Sequence, residues 1–197
     1  LPVGVVGIVL AMIFAASMQN HFPYVPGRYP GEAPIRVDGP ALSAEARASM
    51  EVFAQGLRDA DASLRTLVEY CRASPRPILL VFFGDHLPAI EGNPYGTSGL
   101  TSKPLATLPP AEQYAVRKVP VLFWSNRGTP PPLPPVLSMA FVPGEALTRL
   151  GVPMPPFFRL AAEVSRHYPV ITDRFTVDAA GVFRPEPPKP GDPIIAP

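Results

Sequence analysis

A layered α/β fold with a mostly parallel central sheet is predicted by three features of this 197-residue sequence. Short continuous apolar runs recur, notably residues 78–83 and 119–124, and each has the length of a strand buried on both faces. One long stretch, residues 43–71, carries its apolar residues at helical spacing. The elements follow one another as strand, loop, helix, strand, loop, strand, helix, an order that suits helices packed on a sheet.

The first run, residues 3–18, is the most apolar segment. A transmembrane helix, a signal segment and a buried strand compete for it. It is slightly short for a membrane span and contains Gly4 and Gly7. It also lacks the basic start of a signal peptide. The rest of the chain favours a strand over residues 8–18 that delivers Gln19, Asn20 and His21 to the sheet edge. Residues 22–42 hold five prolines and read as an irregular loop.

Ser43 suits a helix N-cap, and Met50, Phe53, Leu57, Ala60, Leu64, Leu67, Val68 and Cys71 fall on one helical face. Pro75 and Pro77 end that helix. Residues 78–83 are then a strand, residues 87–118 a loop with a helical turn near 110–116, and residues 119–124 a further strand. Helical patterns return at 144–150 and 157–167. Residues 1–184 are read as one domain and residues 185–197 as a proline-rich tail.

Composition narrows the function. Hydrophobic residues make up 47% and charged residues 17%, enough to bury a core. A net charge of +1 without a basic cluster argues against nucleic acid as a partner. The single cysteine, Cys71, excludes an internal disulfide and reads as a packed thiol on the helix. Trp124 reads as core.

Gly84-Asp85-His86 closes the second apolar run, where ligands bind in open α/β sheets. A carboxylate beside an imidazole suits a divalent metal such as manganese, magnesium or zinc. The competing reading has Asp85 capping a turn and His86 exposed in a loop. His21 closes the first run as His86 closes the second, so parallel strands would bring both to one edge. The competing reading here is a solvated strand-end histidine.

Three motifs occur in order: Met18-Gln19-Asn20-His21-Phe22-Pro23-Tyr24, then Val81-Phe82-Phe83-Gly84-Asp85-His86-Leu87-Pro88, then Val119-Pro120-Val121-Leu122-Phe123-Trp124-Ser125-Asn126. Together with the long helix between the first two, they resemble the C-terminal half of the sulfatase-like domain of lipoteichoic acid synthase-type phosphoglycerol transferases, in the alkaline phosphatase-like superfamily. The resemblance spans roughly residues 8–175 and implies a partial three-layer sandwich. It implies that Asp85 and His86 ligate a divalent metal, with manganese or magnesium expected ahead of zinc or calcium, and that His21 contacts the substrate phosphate. It also implies a phospholipid-derived or glycan substrate of the bacterial cell envelope, and a membrane-anchored enzyme whose catalytic domain faces outside the cytoplasm. The family's nucleophilic threonine and a metal-binding acid lie upstream of the matched region, and residues 1–20 contain no Thr, Asp or Glu. The expectation is therefore a chain that is inactive unless an upstream segment completes it. The alternative is a sulfatase-like module that binds or assembles without chemistry.

Overall fold

A computed structural model describes residues 11–30, 35–39, 42–97, 100–101, 103–104 and 107–186. Helix α1 runs over Ala44–Ala73. Ser43 caps it, its Oγ accepting the N–H of Ala46 at 3.1 Å, an interaction of about 1 kcal/mol. Glu45 in the first turn and Arg72 in the last complement the helix dipole. The N-terminal half is packed, with Ala46, Ser49, Gln55 and Gly56 buried. Farther along, Leu57, Leu67 and Tyr70 are exposed while Cys71 is buried, as expected for a packed thiol. The predicted apolar stripe is therefore only partly covered by the described residues.

Strand β1 (Leu79–Phe83) pairs with β2 (Val121–Ser125). The pairing is antiparallel, from Leu79 opposite Ser125 to Phe83 opposite Val121. This corrects the expected mostly parallel sheet. A parallel pair needs a crossover that returns the chain to the end where the first strand began. Among the described residues the connection carries the short helices α2 (Pro94–Thr97) and α3 (Pro110–Val116) and re-enters opposite Phe83, so β2 runs back along β1. Trp124 is half-buried on β2.

The expected strand over residues 8–18 is also corrected. Residues 8–10 lie outside the described residues, and residues 11–18 form no strand. Met12, Ile13, Phe14 and Met18 are exposed. A buried strand needs a ladder partner and covering layers, and among the described residues this run has neither. Among the described residues no helix is long and apolar enough to cross a membrane.

The second half holds α4 (Val142–Arg149), preceded by a 3₁₀ turn at Met139–Phe141, and α5 (Pro156–His167). A meander of two-residue strands follows, β3 (Val170–Ile171), β4 (Thr176–Val177) and β5 (Phe183–Arg184), all antiparallel. The sequence reading missed it. Val170, Phe175 and Val177 form its core, with Tyr114, Val136 and Phe183 packed against them. The ring of Tyr114 meets that of Phe175 at 5.7 Å, which ties α3 to the meander. Most of the tail, residues 187–197, lies outside the described residues.

Candidate functional site

Two segments carry the site candidates, and the first seats on α1. The first, residues 18–29, lies across the helix at Gly56, where an added Cβ would come within 2.7 Å of Asn20 Cγ and 2.9 Å of the Tyr29 hydroxyl. A larger residue there would displace both side chains, because the loop's side chains touch the helix backbone itself. Tyr24, 3% exposed, packs edge-on against Phe53 of α1 at 5.3 Å. The second segment leaves β1 at Gly84, whose N–H donates to the Pro120 carbonyl at 3.2 Å and extends the ladder by one bond. Gly84 is not among the positive-φ residues, and a Cβ there would make ordinary contact with Val119 at 3.5 Å. Glycine is thus not conformationally required at this turn.

Two tyrosines near the candidate residues carry shifted phenols. Burial raises the Tyr24 phenol above its ordinary pKa, Arg28 opposes that shift, and the charges of Tyr29 and Asp85 add to it. Tyr95 is pushed up to about 12, by burial first and then by Tyr24. Its hydroxyl donates to the Pro88 carbonyl at 2.6 Å, just past the Asp85-His86 turn. The expected arrangement, two parallel strands ending at one edge, is not the one seen: residues 11–18 form no strand, and the loop of His21 seats on α1 instead.

Asp85 and His86 are in contact. The His86 backbone N–H donates to Asp85 Oδ1 at 3.0 Å, and His86 Nε2 lies 3.3 Å from Asp85 Oδ2. His86 Nδ1 lies 2.9 Å from the Leu87 carbonyl, which can only accept, so Nδ1 carries a proton. In a neutral ring Nε2 then bears the lone pair that faces the carboxylate. An imidazole and a carboxylate facing each other are ligand types that one divalent cation accepts. Both side chains are largely exposed, at 77% for Asp85 and 65% for His86. The pair fits two ligands of a divalent metal. Among the described residues no group of three or more His, Cys, Asp or Glu is placed to hold one.

His21 uses the same device. Its Nδ1 donates to the Phe22 carbonyl at 2.7 Å, which leaves Nε2 as the ring atom available to a ligand. The ring is exposed. His167 pairs with Glu163 at 3.7 Å at the exposed end of α5, away from these groups in the sequence and in role. Tyr24, Arg28 and Tyr95 were not foreseen as part of this site. Their partners are largely backbone carbonyls, which every residue carries, so no pattern of residue types marks them.

The family model described as Sulfatase matches residues 11–152. A Rhizobium meliloti (strain 1021) protein named "Putative cyclic beta-1,2-glucan modification protein" is 31% identical over 164 residues, covering 82% of this chain and 25% of its own length. The capsular polysaccharide biosynthesis protein RkpI of the same organism is 33% identical over 78 residues, 40% of this chain and 12% of its own. The chain thus spans about a quarter of the length of the first of these relatives. Among solved structures, the Streptococcus pyogenes phosphoglycerol transferase GacH, in complex with sn-glycerol-1-phosphate, superposes with a TM-score of 0.61 at 21% identity. That match covers 90% of this chain and 38% of GacH. It establishes a shared α/β fold, and the family resemblance read from the motifs is borne out.

Proposed function

The chain belongs to the sulfatase family, and we propose that residues 1–184 are the C-terminal portion of the catalytic domain of a metal-dependent transferase acting on phosphoglycerol-type esters. The observation that carries this reading is the contact between Asp85 and His86 at the end of β1. Asp85 and His86 would hold the cation, manganese or magnesium ahead of zinc or calcium. His21 would bind a non-bridging phosphate oxygen. A bound divalent cation would supply charge neutralisation for the transferring group. His21 with Nε2 protonated would donate to that group and orient it.

The donor would be a phospholipid-derived substrate and the acceptor a glycan of the bacterial envelope. The names of the two Rhizobium relatives, a cyclic glucan and a capsular polysaccharide, support a glycan acceptor. The domain would be membrane-anchored and face outside the cytoplasm. Upstream sequence would supply the nucleophile and the remaining metal ligands, in keeping with the share of GacH that this chain covers.

The test is to read the coding sequence upstream of Leu1 and to assay the whole product with phosphatidylglycerol and a glucan acceptor. Manganese-dependent transfer that is lost in Asp85→Ala is the expected result. Transfer that survives Asp85→Ala with metal content unchanged would refute the assignment. Glycan binding with no transfer under any condition would favour the non-catalytic module.

A further inference from the structure

We infer that Arg28 is a positioning residue for His21, a role that deepens the phosphate-binding reading of His21 and rests on it. The segment from Met18 to Pro23 forms no ladder and no helix, and among the described residues one backbone bond, from the His21 N–H to the Met18 carbonyl at 3.3 Å, serves its carbonyls. Side chains supply the other partners. Arg28 Nη1 donates to the carbonyls of His21 and, at 2.9 Å, Pro23, while Nη2 donates to those of Gln19 at 3.0 Å and Met18 at 3.3 Å. The Tyr24 hydroxyl donates to the Asn20 carbonyl at 3.1 Å, and His21 Nδ1 to that of Phe22 at 2.7 Å. Tyr29 adds a second donor to Gln19 at 2.9 Å. Every carbonyl from Met18 to Pro23 therefore accepts a side-chain hydrogen bond, and Arg28 serves four of the six.

The geometry separates this role from direct substrate binding. The two terminal nitrogens of a guanidinium carry four N–H groups, and here all four are committed to backbone. Arg28 is therefore poorly placed to grip a phosphate itself. It fixes the backbone on both sides of His21, and the ring's Nδ1 bond to Phe22 then sets which nitrogen faces a ligand. Lysine could not substitute, because its donors radiate from one atom and cannot span four carbonyls. Gly56 completes the arrangement by letting Asn20 and Tyr29 seat against α1.

The test is a double-mutant cycle in the full-length gene product, with affinity for sn-glycerol-1-phosphate measured by calorimetry in the presence of manganese. Arg28→Ala and Arg28→Lys are each expected to weaken binding by roughly tenfold to a hundredfold, the range a misplaced contact produces. Guanidinium ion, below denaturing concentration, should restore Arg28→Ala. In a His21→Ala background Arg28→Ala should weaken binding no further. Full affinity in Arg28→Ala, or an equal further loss in the His21→Ala background, would overturn the inference. Should Arg28→Ala not fold, Arg28→Lys carries the same cycle. If His21→Ala alone leaves affinity unchanged, the phosphate-binding reading falls. The ¹⁵N relaxation of the His21 ring then decides the positioning role: a ring more mobile in Arg28→Lys sustains it, and an unchanged ring refutes it.

Discussion

Asn126 and Ile78 bind each other twice: the Ile78 N–H donates to Asn126 Oδ1 at 2.8 Å, and the Asn126 N–H donates to the Ile78 carbonyl at 3.3 Å. The other half of the same amide donates to the carbonyls of Cys71, Ser74 and Arg76 at 2.9–3.1 Å. One side chain thus closes the C-terminus of α1, starts β1 and ends β2. Asn126→Ala leaves those backbone groups without it and should destabilise the fold by about 2–4 kcal/mol. Asn126→Asp keeps the acceptor but turns a carboxylate toward three carbonyls, and should be at least as damaging. Urea unfolding of the two variants checks both statements; a change under about 0.5 kcal/mol, the range of ordinary surface substitutions, would contradict them.

Gly56→Ala opposes two effects. Alanine improves helix propensity by about 1 kcal/mol. Its Cβ would meet the Asn20 amide and the Tyr29 hydroxyl, and such overpacking costs about 1–3 kcal/mol. The expected result is a small net loss of stability with a clear rise in amide exchange over residues 19–22. Exchange unchanged from wild type would mean that the loop does not seat where the close approach puts it.

The Asp85-His86 pair leads to a metal prediction. Two ligands, both largely exposed, make a weak site. The 197-residue chain alone should bind manganese only in the millimolar range, on the order of −4 kcal/mol. Asp85→Ala should abolish even that. A manganese titration followed by electron paramagnetic resonance measures both, and micromolar binding by the isolated chain would require ligands beyond this pair.

Tyr95 gives a test in alkali. Its phenol is pushed up to about 12 in the folded chain, from 10.0, chiefly by burial. The fold therefore favours the neutral form. The resulting contribution is complete below pH 10, where unfolded tyrosine is also neutral, and is lost as pH rises towards 12. Tyr95→Phe lacks this titration. The thermal midpoint of wild type should fall relative to that variant between pH 10 and 12, and parallel profiles would contradict the shift.

What could be read in the sequence follows from what each signal encodes. The spacing from Met50 to Cys71 and the prolines at 75 and 77 located α1 within a few residues, because amphipathic periodicity and proline are local signals. The runs ending at Phe83 and near Trp124 located both central strands. Their relative direction was not legible, since an apolar run records burial and not which way its neighbour points. The meander was missed because its strands are two residues each. Its one strong signal was the Asp178-to-Gly181 turn, where Asp178 Oδ1 accepts the N–H groups of Ala180 and Val182. At the site, Asp85 and His86 were legible as adjacent ligand types. The clamp around His21 was not, because its acceptors are main-chain oxygens.

The exposed run at residues 11–18 bears on how the chain behaves at the bench. Ala11 to Met18 carries no charge and no proline, and Met12 and Ile13 are 89% and 90% exposed. Segments of that character pair readily with copies of themselves. The solubility ceiling of the 197-residue chain should accordingly be set by these few residues, and Ile13→Lys should raise it while leaving the unfolding midpoint in place. Light scattering against concentration, with and without the substitution, would reveal the onset of such self-association.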